Sequence, residues 1–293
     1  MNQHNYIPGL LEFPLTAFPV VDHLPWKLHR HGDYAELVII TGGRGKHVLE
    51  TESFPIERGD VFFVPLGLPH GYADCQSLCL TNILFDPRRL PLPEHQLRQM
   101  PGYHALFKLE PELRVQHSFN SRLRVDDGAL RKLDDLLQHL NQEVRERKPG
   151  FEVASTSLLC GVLVELSRRY AAMTSPMPQT LVRLSGLLNW LEKHLSEPVT
   201  VDLLAARAHM SRSTLGRCFR ESFGLSPMGY VIEMRLSKAA TLLRETELHI
   251  RDVALRVGIE DANYFARVFR KQQGVEPTAY RSRNRTPKLH HVA

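Results

Sequence analysis

The chain has 293 residues, enough for about two domains of ordinary size. Hydrophobic residues make up 43% and charged residues 24%, which is typical of folded globular proteins and excludes a collagen-like or low-complexity chain. There is no run of about 18 apolar residues, and no basic stretch followed by an apolar core at the N-terminus, so we expect no membrane helix, no secretion and a cytoplasmic location.

The first hundred residues have the pattern of a β domain. Residues 36–40 form a short apolar run, residues 41–45 are expected to make a turn, and residues 46–50 resume an extended pattern. Further strands are expected at residues 61–64 and 78–85. Short strands separated by Gly and Pro turns predict a sandwich or a small barrel.

The pattern becomes helical in the second hundred residues. Five apolar residues recur at helical spacing, namely Leu130, Leu133, Leu137, Leu140 and Val144. Asp126 or Asp127 is expected to cap this helix, and a second helix is expected from about residue 156 to 172. The stretch 173–179 contains two prolines and is the best linker candidate. We therefore expect domains at 1–178 and 179–293.

The C-terminal part contains an internal repeat. Seven positions are matched by residues of the same chemistry 50 positions later: Leu215, Arg217, Phe219, Arg220, Gly224, Pro227 and Tyr230 by Phe265, Arg267, Phe269, Arg270, Gly274, Pro277 and Tyr280. Helical periodicity alone does not produce identical Gly, Pro and Tyr residues at a fixed offset. The C-terminal part therefore holds two copies of one structural unit.

Each copy has the pattern of a helix-turn-helix, at about residues 200–224 and 250–274. A short first helix is followed by a turn, and Ser211 or Asp261 then offers a side-chain oxygen to cap the second helix. Gly224 and Gly274 are placed where a helix commonly ends. We expect a helix over residues 234–245 to join the two units, which would place two recognition helices about one turn of DNA apart.

The basic residues are concentrated in this part of the chain. Residues 179–293 hold 18 basic and 11 acidic residues, a net charge of +7, whereas the remainder has a net charge of −2. This asymmetry predicts a polyanion-binding module, although a helical bundle with a solvated basic face is the alternative. The residues expected to face DNA are Arg212, Ser213, Arg217, Arg220, Ala262, Asn263, Arg267, Arg270 and Lys271.

Two kinds of DNA contact are expected from these side chains. Arg can hydrogen-bond both O6 and N7 of guanine, and Asn both N6 and N7 of adenine, so Arg217, Asn263 and Arg267 are the candidates for base recognition. Ser213 and Ala262 are positions of close approach. The other arginines and Lys271 are expected to contact phosphates, which position the protein without specifying a sequence.

Residues 181–281 resemble the DNA-binding domain of the AraC/XylS family of bacterial transcription regulators. The second copy carries the family signature in Ile250, Val253-Ala254, Gly258-Ile259, Asn263-Tyr264-Phe265, Arg267, Phe269-Arg270, Gly274, Pro277 and Tyr280-Arg281. It departs from the signature at Ile259, where Phe is usual, and at Ala266, where Ser is common. The resemblance implies a regulator that binds double-stranded promoter DNA.

Two stretches of the first domain resemble the two motifs of cupins, a family of small β-barrels. His29, His31, Glu36 and Gly43 have the spacing of the first motif, and the stretch from Gly59 to His70 has that of the second. In metal-binding cupins the matching His, His, Glu and His converge on one divalent ion. The fold expected for the whole chain is therefore α+β, a cupin-like barrel with helices followed by an all-α domain with two helix-turn-helix units.

Three interpretations of His29, His31, Glu36 and His70 remain open. They could hold a metal, line an effector pocket, or form structural hydrogen bonds at the barrel mouth. Fusion to a DNA-binding domain favours sensing, so these residues and Tyr72 are the expected effector-binding set, with no metal and no cofactor. Trp26, Tyr34 and Tyr72 are candidates for stacking on a sugar ring.

The stretches 29–71, 80–90 and 101–103 resemble the sugar-responsive members of the family, especially the rhamnose-operon activators. This resemblance implies a sugar effector, a homodimer, and an activator that acts on RNA polymerase. The function expected is transcription regulation rather than enzymatic activity. The alternative is a metal-dependent cupin enzyme that carries a DNA-binding domain, although no P-loop, HExxH, GxSxG or dinucleotide motif supports other chemistry.

Overall fold

The computed structural model describes residues 12–111 and 122–284, and it divides into two compact units. The first unit extends to Gly186 and the second begins at Leu187. The first combines an antiparallel sheet with helices and the second is helical, which is the mixed α+β fold that the sequence predicts. In the described ranges no helix is both long and apolar enough to span a bilayer.

The sheet of the first unit has seven strands in the order β1-β6-β3-β5-β7, with β2 paired to β6 and β4 to β3. Every strand pair is antiparallel. In chain order the strands are β1 (Leu15–Val20), β2 (Trp26–His29), β3 (Ala35–Val48), β4 (Ser53–Glu57), β5 (Asp60–Val64), β6 (His70–Phe85) and β7 (Leu123–Arg124). The two long strands β3 and β6 pair along most of their length and carry three of the residues expected at the effector site, Glu36, His70 and Tyr72. The other two are His29, which ends β2, and His31, which follows it.

The turn predicted at residues 41–45 is wrong, because β3 continues through it as one strand of 14 residues. The pairing with β6 shifts register at three points between Ile40 and Lys46, so the glycines there accommodate bulges instead of a chain reversal. Gly43 has φ +66°, and a Cβ at this position would lie 2.0 Å from the carbonyl oxygen of Ser77. Only glycine fits this close approach.

The first unit also contains several helices. They are α1 (Glu94–Arg98), α2 (Pro101–His104) with a π-helical turn at Ala105–Leu109, α3 (Asp127–Glu146) and α4 (Phe151–Ala172). Asp126 caps α3 by accepting a hydrogen bond from the backbone N–H of Ala129 at 2.7 Å. The leucines predicted to line one face of α3 are buried, and α3 packs against α4.

Two helix starts differ from the sequence prediction. Helix α4 begins at Phe151 instead of near residue 156, directly after Gly150, whose φ of +91° turns the chain from one helix into the next. Helix α5 (Pro176–His194) begins inside the stretch expected to be a linker. Proline is well tolerated in the first turn of a helix, where its missing N–H costs nothing, so Pro176 starts a helix that the sequence pattern places later.

The second unit contains two helix-turn-helix motifs joined by a long helix. Its elements are α6 (Val201–Arg207), α7 (Arg212–Phe223), α8 (Pro227–Glu245), α9 (Ile250–Arg256), α10 (Ala262–Gln273) and α11 (Pro277–Asn284). The joining helix α8 has 19 residues, seven more than expected, and Ser226 caps it by accepting from the N–H of Gly229. The repeated Pro227 and Pro277 both occupy the first turn of a helix, so the repeat includes the start of a third helix.

The core of the second unit is built by the inward-facing apolar residues of the recognition helices. Phe265 and Phe269 are fully buried against Leu236, Ala240 and Leu243 of α8. In the first copy Leu215 and Phe219 are fully buried, whereas Phe223, one turn further along the same face, is half-buried and its ring lies 4.5 Å from that of Tyr230. Burial of each phenylalanine contributes roughly 2–3 kcal/mol, which fixes the opposite face of α7 and α10 toward solvent.

Candidate DNA-binding surface and effector site

The first recognition helix, α7, exposes the residues expected to contact DNA. Ser211 caps it by accepting a hydrogen bond from the N–H of Thr214 at 3.1 Å, and Gly224 ends it with φ +67°. Because Leu215 and Phe219 turn one face inward, the opposite face is presented to solvent. The exposed side chains on that face are Arg212, Ser213, Arg217 and Arg220.

The second recognition helix, α10, has the same construction with a stronger cap. The Asp261 carboxylate accepts from the N–H groups of Asn263 at 2.8 Å and Tyr264 at 3.1 Å. A charged acceptor at a helix N-terminus also interacts favourably with the helix dipole. Of the residues expected to contact DNA, Ala262 is half-buried and the others are exposed, namely Asn263, Arg267, Arg270 and Lys271.

The exposed arginines differ in their partners. Arg212 forms an ion pair with Asp202, and Arg270 lies 3.3 Å from Glu276. In the described part of the chain, Arg217 and Arg267 form no ion pair, and the Arg267 guanidinium lies 5.5 Å from the centre of the Tyr264 ring. Stacking on an aromatic ring limits the rotamers of an arginine without neutralising its charge. Arg267 is thus available and partly preorganised for contact with a base.

The turns of the two copies differ by one residue. His209 has φ +51° and Gly258 has φ +81°, and each is followed by a residue that donates its N–H to a carbonyl of the preceding helix, Met210 to Ala205 and Ile259 to Ala254. The second copy then adds Glu260 before its cap. A left-handed residue at this point is required by the turn, and only the second copy uses glycine for it.

In the first unit, four of the five residues predicted for the effector site converge on one cluster, namely His29, His31, Glu36 and His70. His70 and Tyr72 are two residues apart on β6 and therefore face the same side of the sheet, whereas His29 ends β2 and His31 follows in the connection. The ring centres of His29 and His70 are 4.4 Å apart, and those of His29 and His31 are 4.8 Å apart. Glu36 is buried beside them, with its Oε2 atom 3.0 Å from Nε2 of His70 and 3.9 Å from Nε2 of His31.

The hydrogen bonds of this cluster fix two histidine tautomers. A carbonyl oxygen can only accept, so the 3.0 Å contact to the carbonyl of Lys27 requires the proton of His29 to be on Nδ1. The same holds for His70, whose Nδ1 lies 3.1 Å from the carbonyl of Leu68. In the neutral ring each histidine then keeps its lone pair on Nε2. For His70 that atom faces Glu36, so a proton or another cation is needed between them.

The histidines around this cluster are held in the neutral form. Burial lowers the pKa of His31 to about 4, and the nearby Glu36 carboxylate opposes this only in part. Burial also lowers the pKa of His29 and of His23. Neutral imidazoles offer both a donor and an acceptor, and they are the form that binds metals. His29, His31 and His70 have ligand nitrogen atoms within 4.8 Å of one another, and this donor set suits Zn²⁺ and similar ions.

The aromatic residues near the cluster have different roles. Tyr34 stacks on His31 with 4.4 Å between ring centres, and burial raises its pKa. Tyr72, expected at the effector site, is only 4% exposed and belongs to the apolar core inside the sheet. Trp26 is 50% exposed and its ring centre lies 5.9 Å from that of His29. Of these three, Trp26 is the one with a ring surface open to a ligand.

Two residues that the sequence reasoning missed also lie beside the cluster. His47 is 2% exposed, pairs in register with Tyr72, and its ring centre is 5.9 Å from that of His70. The ring of His23 lies 4.5 Å from that of Tyr72. The sequence predicts His47 to be in an extended stretch, but it gives no sign that this stretch pairs with the strand of His70 and Tyr72.

Comparison with protein families and with individual proteins agrees with this architecture. Residues 22–147 match the model of the AraC-like ligand binding domain, and residues 204–283 match that of a helix-turn-helix domain. The chain is 30% identical over 273 residues to the HTH-type transcriptional activator RhaR of Escherichia coli strain K12, with 92% of each chain covered. It is 31% identical over 247 residues to the activator RhaS of Shigella sonnei, with 84% of each chain covered.

Among solved structures, the DNA-binding domain of AdpA in complex with a target DNA is 37% identical, covering 34% of this chain and 91% of that one, with a TM-score of 0.34. The match to RhaR extends over both units, so it is not confined to the helix-turn-helix region. These relatives are transcription activators, which indicates a regulator rather than an enzyme. The chain belongs to the AraC family, as a DNA-binding transcription activator that carries a ligand-binding domain.

Proposed function

We propose that a sugar binds in the first unit and controls how the second unit engages promoter DNA. The observation that carries this proposal is the cluster of His29, His31, Glu36 and His70, three imidazoles and a carboxylate that lie together beside the open ring of Trp26. Sugar hydroxyl groups both donate and accept, so mixed donors and acceptors suit them, and an aromatic face suits the apolar face of a sugar ring. Tyr72 forms the inner wall of this site.

The proposed control is a shift between two states of the protein. A sugar that binds one state more tightly raises the population of that state by its difference in affinity. In the sugar-bound state α7 and α10 contact DNA, with Arg217, Asn263 and Arg267 on bases. Arg220 and Lys271 contact phosphates, and Arg212 and Arg270 do so after leaving Asp202 and Glu276.

Residues 1–178 serve sensing and residues 179–293 serve DNA binding. The protein acts as a homodimer on RNA polymerase and has no enzymatic activity.

A metal ion at the same cluster is the second candidate, and one observation favours it. His29 and His70 both direct Nδ1–H to a backbone carbonyl, which is how metal-binding histidines are usually oriented. A divalent cation held by the Nε2 atoms of His29, His31 and His70 would also balance the negative charge of the buried Glu36 carboxylate. Elemental analysis of the purified protein, before and after the His31→Ala substitution, distinguishes the two. Metal at one equivalent that is lost in the variant, with no sugar binding, would contradict the sugar proposal.

The test uses a sugar screen with the native tryptophans as reporters. The chain has two tryptophans, Trp26 and Trp190, so in a Trp190→Phe background the fluorescence reports only the proposed site. We expect one sugar to raise the melting temperature and change Trp26 fluorescence, and both effects to disappear in His31→Ala. The same sugar is expected to change promoter footprints and transcription. Footprints and transcription that ignore every sugar would overturn the sensing proposal and leave DNA binding untouched.

A further inference from the structure

One buried arginine of the second unit, Arg235, joins three segments of the chain. It lies in the middle of α8 and is 7% exposed. Its Nε donates to the carbonyl of Leu195 at 2.9 Å, and its Nη2 donates to the carbonyl of Glu197 at 2.7 Å. Both carbonyls lie just beyond the end of α5. The side chain therefore ties α8 to the end of α5, three residues before Thr200 caps α6.

The third segment is the turn of the second helix-turn-helix. A Cβ at Gly258 would lie 2.9 Å from the carbonyl oxygens of Leu195 and Ser196 and 3.0 Å from Cζ of Arg235. The backbone of this turn thus rests directly on the carbonyls and the guanidinium. Two features require glycine at position 258: its φ of +81°, and the absence of space for a side chain.

This arginine is unusual because its charge has no acidic partner in the described part of the chain. Burial lowers its pKa, and its guanidinium donates to two backbone carbonyls, those of Leu195 and Glu197. Carbonyls at the end of a helix carry partial negative charge, which favours a cation there. The planar guanidinium holds two carbonyls in fixed directions, whereas a lysine amine would attract them without fixing their geometry.

We propose that Arg235 is a positioning residue that sets the separation and rotational phase of the two recognition helices, α7 and α10. The end of α5 leads into α6 and α7, while Gly258 lies between α9 and α10, and Arg235 holds both to the same point of α8. Arg235 contacts no DNA itself. Its effect is on binding to two half-sites together and not on binding to either alone.

The test compares duplexes that contain two half-sites with duplexes that contain one. The sites are selected from a random DNA pool by the wild-type full-length chain, and a second series inserts one or two base pairs between the half-sites. We expect Arg235→Lys to lower affinity for the intact site tenfold or more and affinity for a single half-site less than twofold. We also expect it to reduce the penalty that wild type shows for an inserted base pair.

Two further variants make the outcome decisive. Arg244→Lys is the matched control on α8, since Arg244 donates to the Tyr280 hydroxyl at 3.0 Å and lies outside the proposed junction. It should leave the spacing penalty unchanged. Gly258→Ala keeps Arg235 but displaces the turn, and is expected to reproduce the spacing effect; it decides the matter if Arg235→Lys does not fold. Equal losses on intact and single sites, or an unchanged spacing penalty, would overturn the proposal.

Discussion

Lowering the pH from 7 to 5 is expected to destabilise the first unit through His31. Burial lowers the pKa of His31 in the folded chain to about 4, against an ordinary value of 6.5. Between these two values the unfolded chain binds more protons than the folded chain, so stability is full above pH 6.5 and is lost as the pH falls toward 4. The folded state cannot readily accommodate an imidazolium at this buried position.

The magnitude follows from the two pKa values. For one such group the linkage relation gives a loss of about 2 kcal/mol between pH 7 and pH 5. His104, at the end of α2, has its pKa lowered to about 4 by burial and by the nearby charges of Arg98 and Lys108. It contributes a similar amount, so the two histidines together make the unit about 4 kcal/mol less stable at pH 5.

The assay is urea unfolding at pH 7, 6 and 5, followed by Trp26 fluorescence in the Trp190→Phe background so that only the first unit is reported. His31→Gln and His104→Gln are each expected to remove about 2 kcal/mol of the pH dependence, because neither variant can take up the proton. His104 serves as the control away from the effector site. A pH dependence that is the same in wild type and both variants would refute the reasoning.

Three further outcomes concern the second unit. Arg267→Ala should weaken the binding free energy for the selected site by about 1–3 kcal/mol and relax specificity at one base pair, whereas Lys271→Ala should weaken binding to all duplexes alike. Affinities for a set of single-base variants of the site distinguish these two patterns. Uniform weakening by Arg267→Ala would show that Arg267 contacts a phosphate. Asp261→Ala should lower the stability of the second unit by roughly 1–2 kcal/mol. This is more than Ser211→Ala should cost, because Asp261 accepts two backbone N–H groups and Ser211 one. Urea unfolding followed by Trp190 fluorescence in a Trp26→Phe background measures both losses, and an equal loss would contradict the argument from the caps. The affinity of the wild type for its site should fall steeply with salt concentration, and an affinity independent of salt would exclude phosphate contacts by the exposed arginines.

The two helix-turn-helix motifs were predictable in detail because their signals are local. Caps such as Ser211 and Asp261, the ending glycines and the spacing of Phe265 and Phe269 each depend on neighbours within a few residues. A repeat at a fixed offset then supports each assignment twice. The role of Arg235 was not visible in the sequence, because its partners Leu195 and Glu197 are 40 and 38 residues away and offer only backbone atoms.

The sheet was less predictable because strand continuity depends on distant pairing. The glycines at 42, 43 and 45 have the composition of a turn, yet the carbonyl of Ser77 on β6 lies against Gly43 and keeps β3 extended. His47 was expected in an extended stretch, but its position beside Tyr72 depends on pairing with a strand about 25 residues away in the sequence. The cluster of His29, His31, Glu36 and His70 was predictable from spacing, but the tautomers that decide its chemistry depend on the carbonyls of Lys27 and Leu68.

The two recognition helices have the same length of 12 residues, a capping side-chain oxygen at the N-terminus and a left-handed glycine at the C-terminus. The two helices therefore begin and end in the same way. The exposed face of one could be grafted onto the other without altering the buried aromatic residues or the caps. A chain with two α10 faces should prefer a direct repeat of one half-site, so new operator preferences are accessible by exchange of surface residues alone.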